Sequence, residues 1–444
     1  MHMPTFLDDF FAFIKEKRSY LKEKIISGKF NPLREQFEKF FELLWIPINL
    51  KTSNGSMNHE ILAVDSSVYR NLLSTGGIFY IVRSLAVHRK KYWKKLEADV
   101  IYTKRGPAHV KLFTGSKMEL LEFEVVIEAL KNGFEGDAVL IDGSLYGRAA
   151  HLPIEFKVEE EPDLIIRYFQ TYMRLLDLCK ARNILLVGIS KESRTTFFRD
   201  YLLSLIFEEE LKKMDFPAEK AKRLREIFSE ILNNEDAAFR KLENLEREHG
   251  RIPRIFGLIF KELASSRPDH QLIMNLASST GYTQPLLLGP SARMLRRLDQ
   301  FRSNPKEYVR KRFPTVTREK GEEFVDRAVK VFSGLLNMPS FISFHILLDP
   351  RDSPIRVDIP AWDHRMCEIL WPKPAENSKV LTEVLEILKE GYGGLTCHNI
   401  WLKDVDEKVR LRREIVDDIY FPFMEKMFRI KIIRGRGYRR VKYP

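Results

Sequence analysis

Ala63-Val64-Asp65-Ser66-Ser67-Val68-Tyr69-Arg70 has a near-copy downstream, Leu140-Ile141-Asp142-Gly143-Ser144-Leu145-Tyr146-Gly147-Arg148. In both, an apolar run ends in an aspartate, small residues follow, and a Tyr and an Arg come next. An unbroken Val/Ile/Leu run reads as a strand covered on both faces, so each aspartate stands where such a strand emerges. Carboxylates are costly to desolvate alone. Carried by neighbouring strands, the two would converge on a cation.

Working outward from this pair, the pattern predicts three strands in succession, Glu60–Ser66, Gly77–Val87 and Glu97–Lys104, the last two rich in β-formers. A helix over roughly 117–132 stops at Asn132-Gly133, and the strand Ala138–Asp142 follows. A helix over about 163–182 then leads into the strand Ile184–Ile189. The order β-β-β-α-β-α-β implies a mixed sheet with helices on its faces. Before it, residues 1–50 form a helical extension with Phe6, Phe10, Phe11 and Phe13, then Phe37, Phe40 and Phe41, at helical spacing. Those phenylalanines either dock a partner or pack on the core. The polar stretch 51–56 is a linker. The core is expected over 56–195 and 271–427, interrupted by a helical insertion at 196–270 with charged faces, and a basic tail at 428–444 closes the chain. Strand character returns at Gln284–Leu288, Phe341–Leu348 and Pro354–Ile359, and helices at 376–391 and 404–427. No repeat of solenoid period is present.

At 444 residues, 44% hydrophobic and 31% charged, the chain is globular and long enough for more than one unit. Its apolar runs are strand-sized, too short to cross a bilayer, and no basic region followed by an apolar core opens the sequence. The three cysteines, Cys179, Cys367 and Cys397, are widely spaced without a Cys-x-x-Cys pair, which suits reduced thiols in a cytoplasmic protein. Abundant Glu, Lys and Arg beside few Gln resembles a thermophile's composition. The net charge of +12 favours a polyanionic partner. It is densest at Arg429, Lys431, Arg434, Arg436, Arg439, Arg440 and Lys442, either a solvated tail or a phosphate-contacting segment beside Tyr438 and Tyr443.

The strand order is that of the ribonuclease-H-like fold, whose acids occupy the first strand, the first long helix and the end of the fourth strand. Asp65 and Asp142 fall on the first and fourth strands. The helix offers Glu119, Glu122, Glu124 and Glu128. Glu124 and Glu128 share a face, and Glu128 lies within Val125-Val126-Ile127-Glu128-Ala129-Leu130, which directs it inward. Such acids suit phosphodiester hydrolysis. Two divalent ions about 3.5–4 Å apart neutralise the pentacoordinate phosphate, activate a water and stabilise the leaving oxygen, and hard cations prefer carboxylate oxygen.

Ile61-Leu62-Ala63-Val64-Asp65-Ser66-Ser67, Leu140-Ile141-Asp142-Gly143-Ser144 and, late in the chain, Gly394-Leu395-Thr396-Cys397-His398 resemble the archaeal NurA nucleases. The resemblance implies a ribonuclease-H-like core, a homodimer, Mn²⁺-dependent DNA hydrolysis (two ions, with Mg²⁺ as the alternative), 5′-to-3′ exonuclease and single-strand endonuclease action. It also implies the HerA hexameric translocase as partner in DNA end resection for recombinational repair. Carried over by position, the metal ligands are Asp65, Glu128, Asp142 and His398, with Asp65 bridging. The fold's usual last acid is not beside His398, since Asp404 and Asp406 come six and eight residues later.

Each residue also has a plainer reading. Asp-Ser and Asp-Gly often cap turns, an exposed glutamate is ordinary on a helix, and a histidine can bond to backbone inside a core. Lys191 and Arg194 follow a strand end and, with Arg70 and Arg148, are candidates to hold phosphate, against the alternative of solvated charges. Tyr69 and Tyr146 either stack on bases or sit at the core edge. The polar stretch from Arg356 to His364 is explained mostly by a strand ending at Pro360. Two competing functions remain: a catalytically silent DNA- or partner-binding subunit, and an actin-like ATPase. The second needs a glycine-rich phosphate turn, which Ser66-Ser67-Val68-Tyr69 does not provide.

Overall fold

The computed structural model describes residues 6–25, 31–49, 59–151, 153–214, 216–232, 238–249, 252–265, 267–376 and 379–435. The chain divides into two compact units, one of residues 1–49, 192–284 and 345–355, the other of 50–191, 285–344 and 356–444.

The second unit holds most of the sheet. Its elements in chain order are β1 (Ile61–Leu72), β2 (Ile78–His88), β3 (Lys91–Ile101), α1 (Pro107–Lys131), β4 (Ala138–Asp142), α2 (Leu145–Ala149), α3 (Leu164–Ala181) and β5 (Leu185–Ser190). After the first unit's residues come β6 (Leu286–Leu288), α4 (Ala292–Ser303), α5 (Pro305–Arg312), α6 (Pro314–Leu336), β7 (Pro339–Leu347), β8 (Ile355–Arg365) and β9 (Lys373–Pro374). The helices α7 (Lys379–Gly391), α8 (Ile400–Val409) and α9 (Phe421–Phe428) close it. The strands run β7-β8-β5-β4-β1-β2-β3, with β1, β4 and β5 parallel and the rest antiparallel to their neighbours where registers are defined. This is a mixed α/β sheet flanked by helices, in the ribonuclease-H-like order. No helix among the described residues is long and apolar enough to cross a membrane.

Several boundaries differ from the sequence reading: α1 begins at Pro107, ten residues before the expected start, and β8 runs through Pro360 to Arg365 instead of ending there. Two further differences have clear physical reasons. The first strand does not end at Ser66 but continues to Leu72, because β2 pairs with it from Ala63↔Val87 to Leu72↔Ile78. The apolar run stops at Val64 because β4 stops there: the parallel ladder ends at Val64↔Ile141. The third strand begins at Lys91, earlier than expected, after a tight turn at Arg89, whose φ is 52°. It is an exposed edge strand carrying Lys91, Lys94 and Lys95, charges that block further pairing, so it lacks the apolar signal of a buried strand.

Strand alternation assigns the two faces. Ser66 Oγ donates to Glu122 Oε1 on α1, whereas Ser67 Oγ accepts the Leu411 N–H at 2.8 Å. Successive side chains point to opposite faces, so α1 covers one side of β1 and α8 the other. Helix α8 runs along β1 in the same direction: Trp401 and Asp404 line a recess with Ile61 and Ala63, and Leu411 reaches Ser67. Arg83 on β2 fastens its far end, donating to the Val409 and Arg410 carbonyls at 2.6 Å each.

The first unit is mostly helical between Phe197 and Leu276, and it also contains most of the N-terminal segment. Phe207 packs among Phe228, Phe256 and Phe260, while Phe41 meets Phe198 edge-on. The two phenylalanine groups near the N-terminus separate: Phe37 and Phe41 are buried, whereas Phe6, Phe10, Phe11 and Phe13 stay exposed on a helix (Leu7–Glu16) that buries nothing.

Asp200, near the start of the helix Phe197–Met214, is pushed up to about 7 by burial and by the neighbouring Asp269 charge, against the Thr196 hydroxyl that donates to it at 2.7 Å and the nearby Arg199. The folded value exceeds the unfolded one, near 3.8. The unfolded chain therefore releases this proton first, and stability falls as pH rises from about 4 to about 7. Asp200→Asn is expected to raise stability at pH 8 by about 2 kcal/mol and to do nothing near pH 4. Denaturation midpoints at both pH values check this, and an equal gain at both would refute the titration as its cause.

Candidate active site and nucleic-acid interface

The site is built where β4 ends and β1 continues. Asp65 and Asp142 follow the last paired residues, Val64 and Ile141, of a parallel ladder, so they occupy equivalent positions on adjacent strands and share a face. Asp65 Oδ1 accepts its neighbour's N–H, from Ser66, at 2.7 Å. Its carboxyl is pushed up to about 8, first by burial and then by the negative charges of Glu122 and Asp142, with a smaller push from Asp406. Asp142 Oδ2 accepts from the exposed Lys191 Nζ at 2.9 Å.

The turn after Asp142 requires glycine. Gly143 has φ 116°, and a Cβ there would lie 3.2 Å from Arg148 Nη2. Gly188 on β5 lies against the same turn, where a Cβ would meet the Gly143 carbonyl at 2.7 Å and the Leu145 nitrogen at 2.9 Å. Ser144 then caps α2, its hydroxyl accepting the Gly147 N–H at 2.8 Å. Beneath this turn Asp358 Oδ2 accepts from Ser144 Oγ at 2.5 Å and from the Tyr146 N–H at 3.2 Å.

A buried polar group backs the two aspartates from the α1 side. Glu122 takes the Ser66 hydroxyl on one oxygen and faces Arg148 Nη2 at 2.6 Å with the other. Burial pushes its carboxyl up, opposed by Arg148 and Ser66. Glu119, one turn away on the same face, bonds His151 at 3.0 Å and the Tyr168 hydroxyl at 2.5 Å.

Of the α1 glutamates, Glu122 is the one whose charge reaches Asp65, and the structure does not bring Glu128 to the two aspartates. Six residues apart at 100° each, the two glutamates point about 120° apart around the helix. Glu128 instead lines a recess with Lys95, Glu124, Lys131, Thr171 and Arg174 on the α3 side. Glu122 carried the same sequence signal as Glu128, an acid among apolar neighbours (Leu120, Leu121, Phe123); only the rotation of the helix separates them. His398 is also displaced. It is half-buried in the turn before α8, next to Asn399, whose side chain caps that helix. Since α8 begins beside Ile61 and ends beside Ser67, His398 stands toward the strand's starting end. It precedes Asp406 by eight residues, on the order of 10 Å along the helix. Asp406, held by Arg410 at 2.6 Å, is the α8 acid whose charge reaches Asp65.

The candidate DNA contacts divide in the same way. Tyr69 is buried edge-on to Phe421, and its oxygen accepts from Asn71 at 2.9 Å. Tyr146 is buried, with its hydroxyl donating to the Gly289 carbonyl at 2.8 Å. Arg148 is buried, and Arg70 is half-buried and bonded to Thr114 on α1. None of these four is presented for base or phosphate contact. Lys191 and Arg194 are exposed, Arg194 as part of the other unit. In the basic C-terminal segment, Arg434 is paired with Asp417 at 2.5 Å and lies 4.1 Å from the Phe421 ring centroid. Residues 436–444, with the rest of the basic run, lie outside the described residues.

Residues 59–411 match the NurA domain model. The chain belongs to the NurA family. It is similar in fold to the NurA nuclease from Sulfolobus solfataricus, with TM-score 0.53 and 13% identity over 96% of this chain and 98% of that one. NurA crystallised with manganese aligns at TM-score 0.41 and 13% identity, covering 91% of this chain and 96% of that one. NurA bound to dAMP and manganese aligns at 0.38 and 12%, covering 91% and 97%. No curated protein matches the sequence significantly.

The donor set of this NurA-family site suits a hard divalent ion. Two aspartates side by side on one face, with Asp65 held near 8 by burial and like charges, carry surplus negative charge that a dication relieves. Among the described residues, no three His, Cys, Asp or Glu side chains already close on one point. Lys191 and Arg148 instead sit against Asp142 and Glu122.

Proposed function

We propose that this NurA-family protein is a metal-dependent DNA nuclease centred on Asp65 and Asp142. The observation that carries the reading is their equivalent placement at the end of the β1–β4 ladder, with Glu122 behind them. Divalent ions bound there supply charge for the pentacoordinate phosphate and an acidified water. Asp65 and Asp142 would hold them through carboxylate oxygen, with Glu122 buried behind them on the α1 side of β1. Lys191, exposed at the end of β5 and within bonding distance of Asp142, is placed to meet a phosphate oxygen once Asp142 turns to the ion. The net charge of +12 supports a nucleic-acid substrate. Mn²⁺ (or Mg²⁺), 5′-to-3′ exonuclease and single-strand endonuclease action, a homodimer and a HerA-type translocase partner follow from the motif resemblance. That Asp65 lies mid-strand, with no glycine turn after it, argues against a nucleotide-phosphate loop.

The test is digestion of DNA labelled separately at each end, in chelator, Mg²⁺ or Mn²⁺. Metal-dependent release is expected, with the 5′ label leaving first. Absence of cleavage with either ion, from folded protein, would return the chain to the binding-subunit reading. A second comparison tests which acid of α1 supports the two aspartates. Glu122→Gln is expected to lower cleavage by roughly 10²-fold, whereas Glu128→Gln stays within about twofold of the parent. The reverse ranking in initial rates would sink the assignment of Glu122.

A further inference from the structure

Arg148, which the sequence offers as a phosphate contact, is only 4% exposed. We infer that it is a positioning residue: through Glu122 and Ser66 on one side and the Asp142 carbonyl on the other, its guanidinium sets the spacing of Asp65 and Asp142, the two carboxylates of the proposed metal site. This rests on the nuclease reading above and deepens it.

A single nitrogen makes both contacts. Nη2 lies 2.6 Å from Glu122 Oε2 and donates to the Asp142 carbonyl oxygen at 2.9 Å. Glu122 is in turn bonded by the hydroxyl of Ser66, the residue after Asp65. One chain of contacts thus runs from the β1 acid through Ser66, Glu122 and Arg148 to the backbone of the β4 acid. No covalent link shorter than a whole loop joins α1, β1 and β4, so the spacing of their acids depends on contacts of this kind. Several features hold the guanidinium in place. Its central carbon lies 5.4 Å from the Phe123 ring centroid, and a Cβ at Gly143 would press on Nη2 at 3.2 Å. Among the described residues Nη1 is buried with no hydrogen-bond acceptor, so Nη2 makes the contacts that define the side chain's position.

A planar guanidinium can meet a carboxylate and a carbonyl at a fixed angle, while a lysine ammonium supplies the charge without that geometry. Buried charge alone would be preserved by lysine; the spacing of the acids would not. Carboxylates that are misplaced by even a fraction of an ångström bind a dication less well, because ligand positions must match its coordination distances.

The experiment is Mn²⁺ binding by calorimetry on the full chain without DNA, for the parent, Arg148→Lys and Asp65→Asn, with circular dichroism as a folding check. Arg148→Lys is expected to keep the fold and to weaken Mn²⁺ binding at least tenfold. The charge-matched double variant Glu119→Gln/Arg148→Gln keeps the net charge of the buried group and is used if lysine is not tolerated; it is expected to lose affinity to a similar degree. A folded Arg148 variant that binds Mn²⁺ like the parent overturns the inference while leaving the nuclease reading intact. If the parent itself binds no Mn²⁺, or Asp65→Asn binds it equally well, the nuclease site is what fails.

Discussion

Asp65→Asn is expected to abolish nuclease activity, by at least ~10³-fold, and at the same time to make the metal-free protein more stable. The two effects share a cause. Burial, Glu122 and Asp142 push the Asp65 carboxyl up to about 8, far above its unfolded value near 3.8. The folded chain therefore holds this proton longer than the unfolded chain does. Stability is unaffected below about pH 4, falls as pH rises toward 8, and carries the full penalty above it. Asparagine removes that charge. Because the carboxyl is partly open to solvent, the gain is set at about 1–3 kcal/mol, below what a fully enclosed group would give. In scans at pH 8, the variant should melt above the parent in chelator, and only the parent should gain from added Mn²⁺. A variant that melts lower in chelator at pH 8 would mean that the negative charges do not crowd Asp65.

Arg356→Met is expected to cost about 3–5 kcal/mol of stability, because it strands a buried charge. Arg356 and Asp358 are 2% and 0% exposed. Arg356 Nε donates to Asp358 Oδ1 at 2.9 Å and Ser343 Oγ at 2.8 Å, while Nη2 reaches Asp358 Oδ2 at 3.2 Å. Removing the arginine leaves a carboxylate deep in the sheet with only Ser144 and the Tyr146 N–H as donors. Those two bonds also hold the turn carrying Asp142, so the same variant should lose cleavage through that turn. Arg356→Met/Asp358→Leu removes both charges and is expected to recover part of the stability, the remainder reflecting the unpaired Ser144 and Tyr146 donors. Thermal midpoints read both, and a single variant within a degree of the parent would show that the pair carries no net weight.

The reach of the sequence is clear in these residues. The β-β-β-α-β-α-β order was legible because buried parallel strands and long amphipathic helices impose periodicities that local sequence must obey. Asp65 and Asp142 were legible for the same reason, as carboxylates interrupting apolar runs where such groups are costly. The start of the edge strand at Lys91 was not, since its Lys91, Lys94 and Lys95 carry no burial signal.

The sequence by itself determined the mixed α/β architecture and the two aspartates that mark its site. Tertiary structure decided the rest. The rotation of α1 against the sheet brought in Glu122 and turned Glu128 away, although both sit among similar apolar neighbours. The direction of α8 along β1 placed Asp406 toward Asp65 and His398 toward the strand's other end. Burial turned Tyr69, Tyr146 and Arg148 from candidate DNA contacts into internal supports. Local sequence encodes how often a side chain meets the core, while helix rotation, helix direction and depth depend on contacts between residues far apart in the chain.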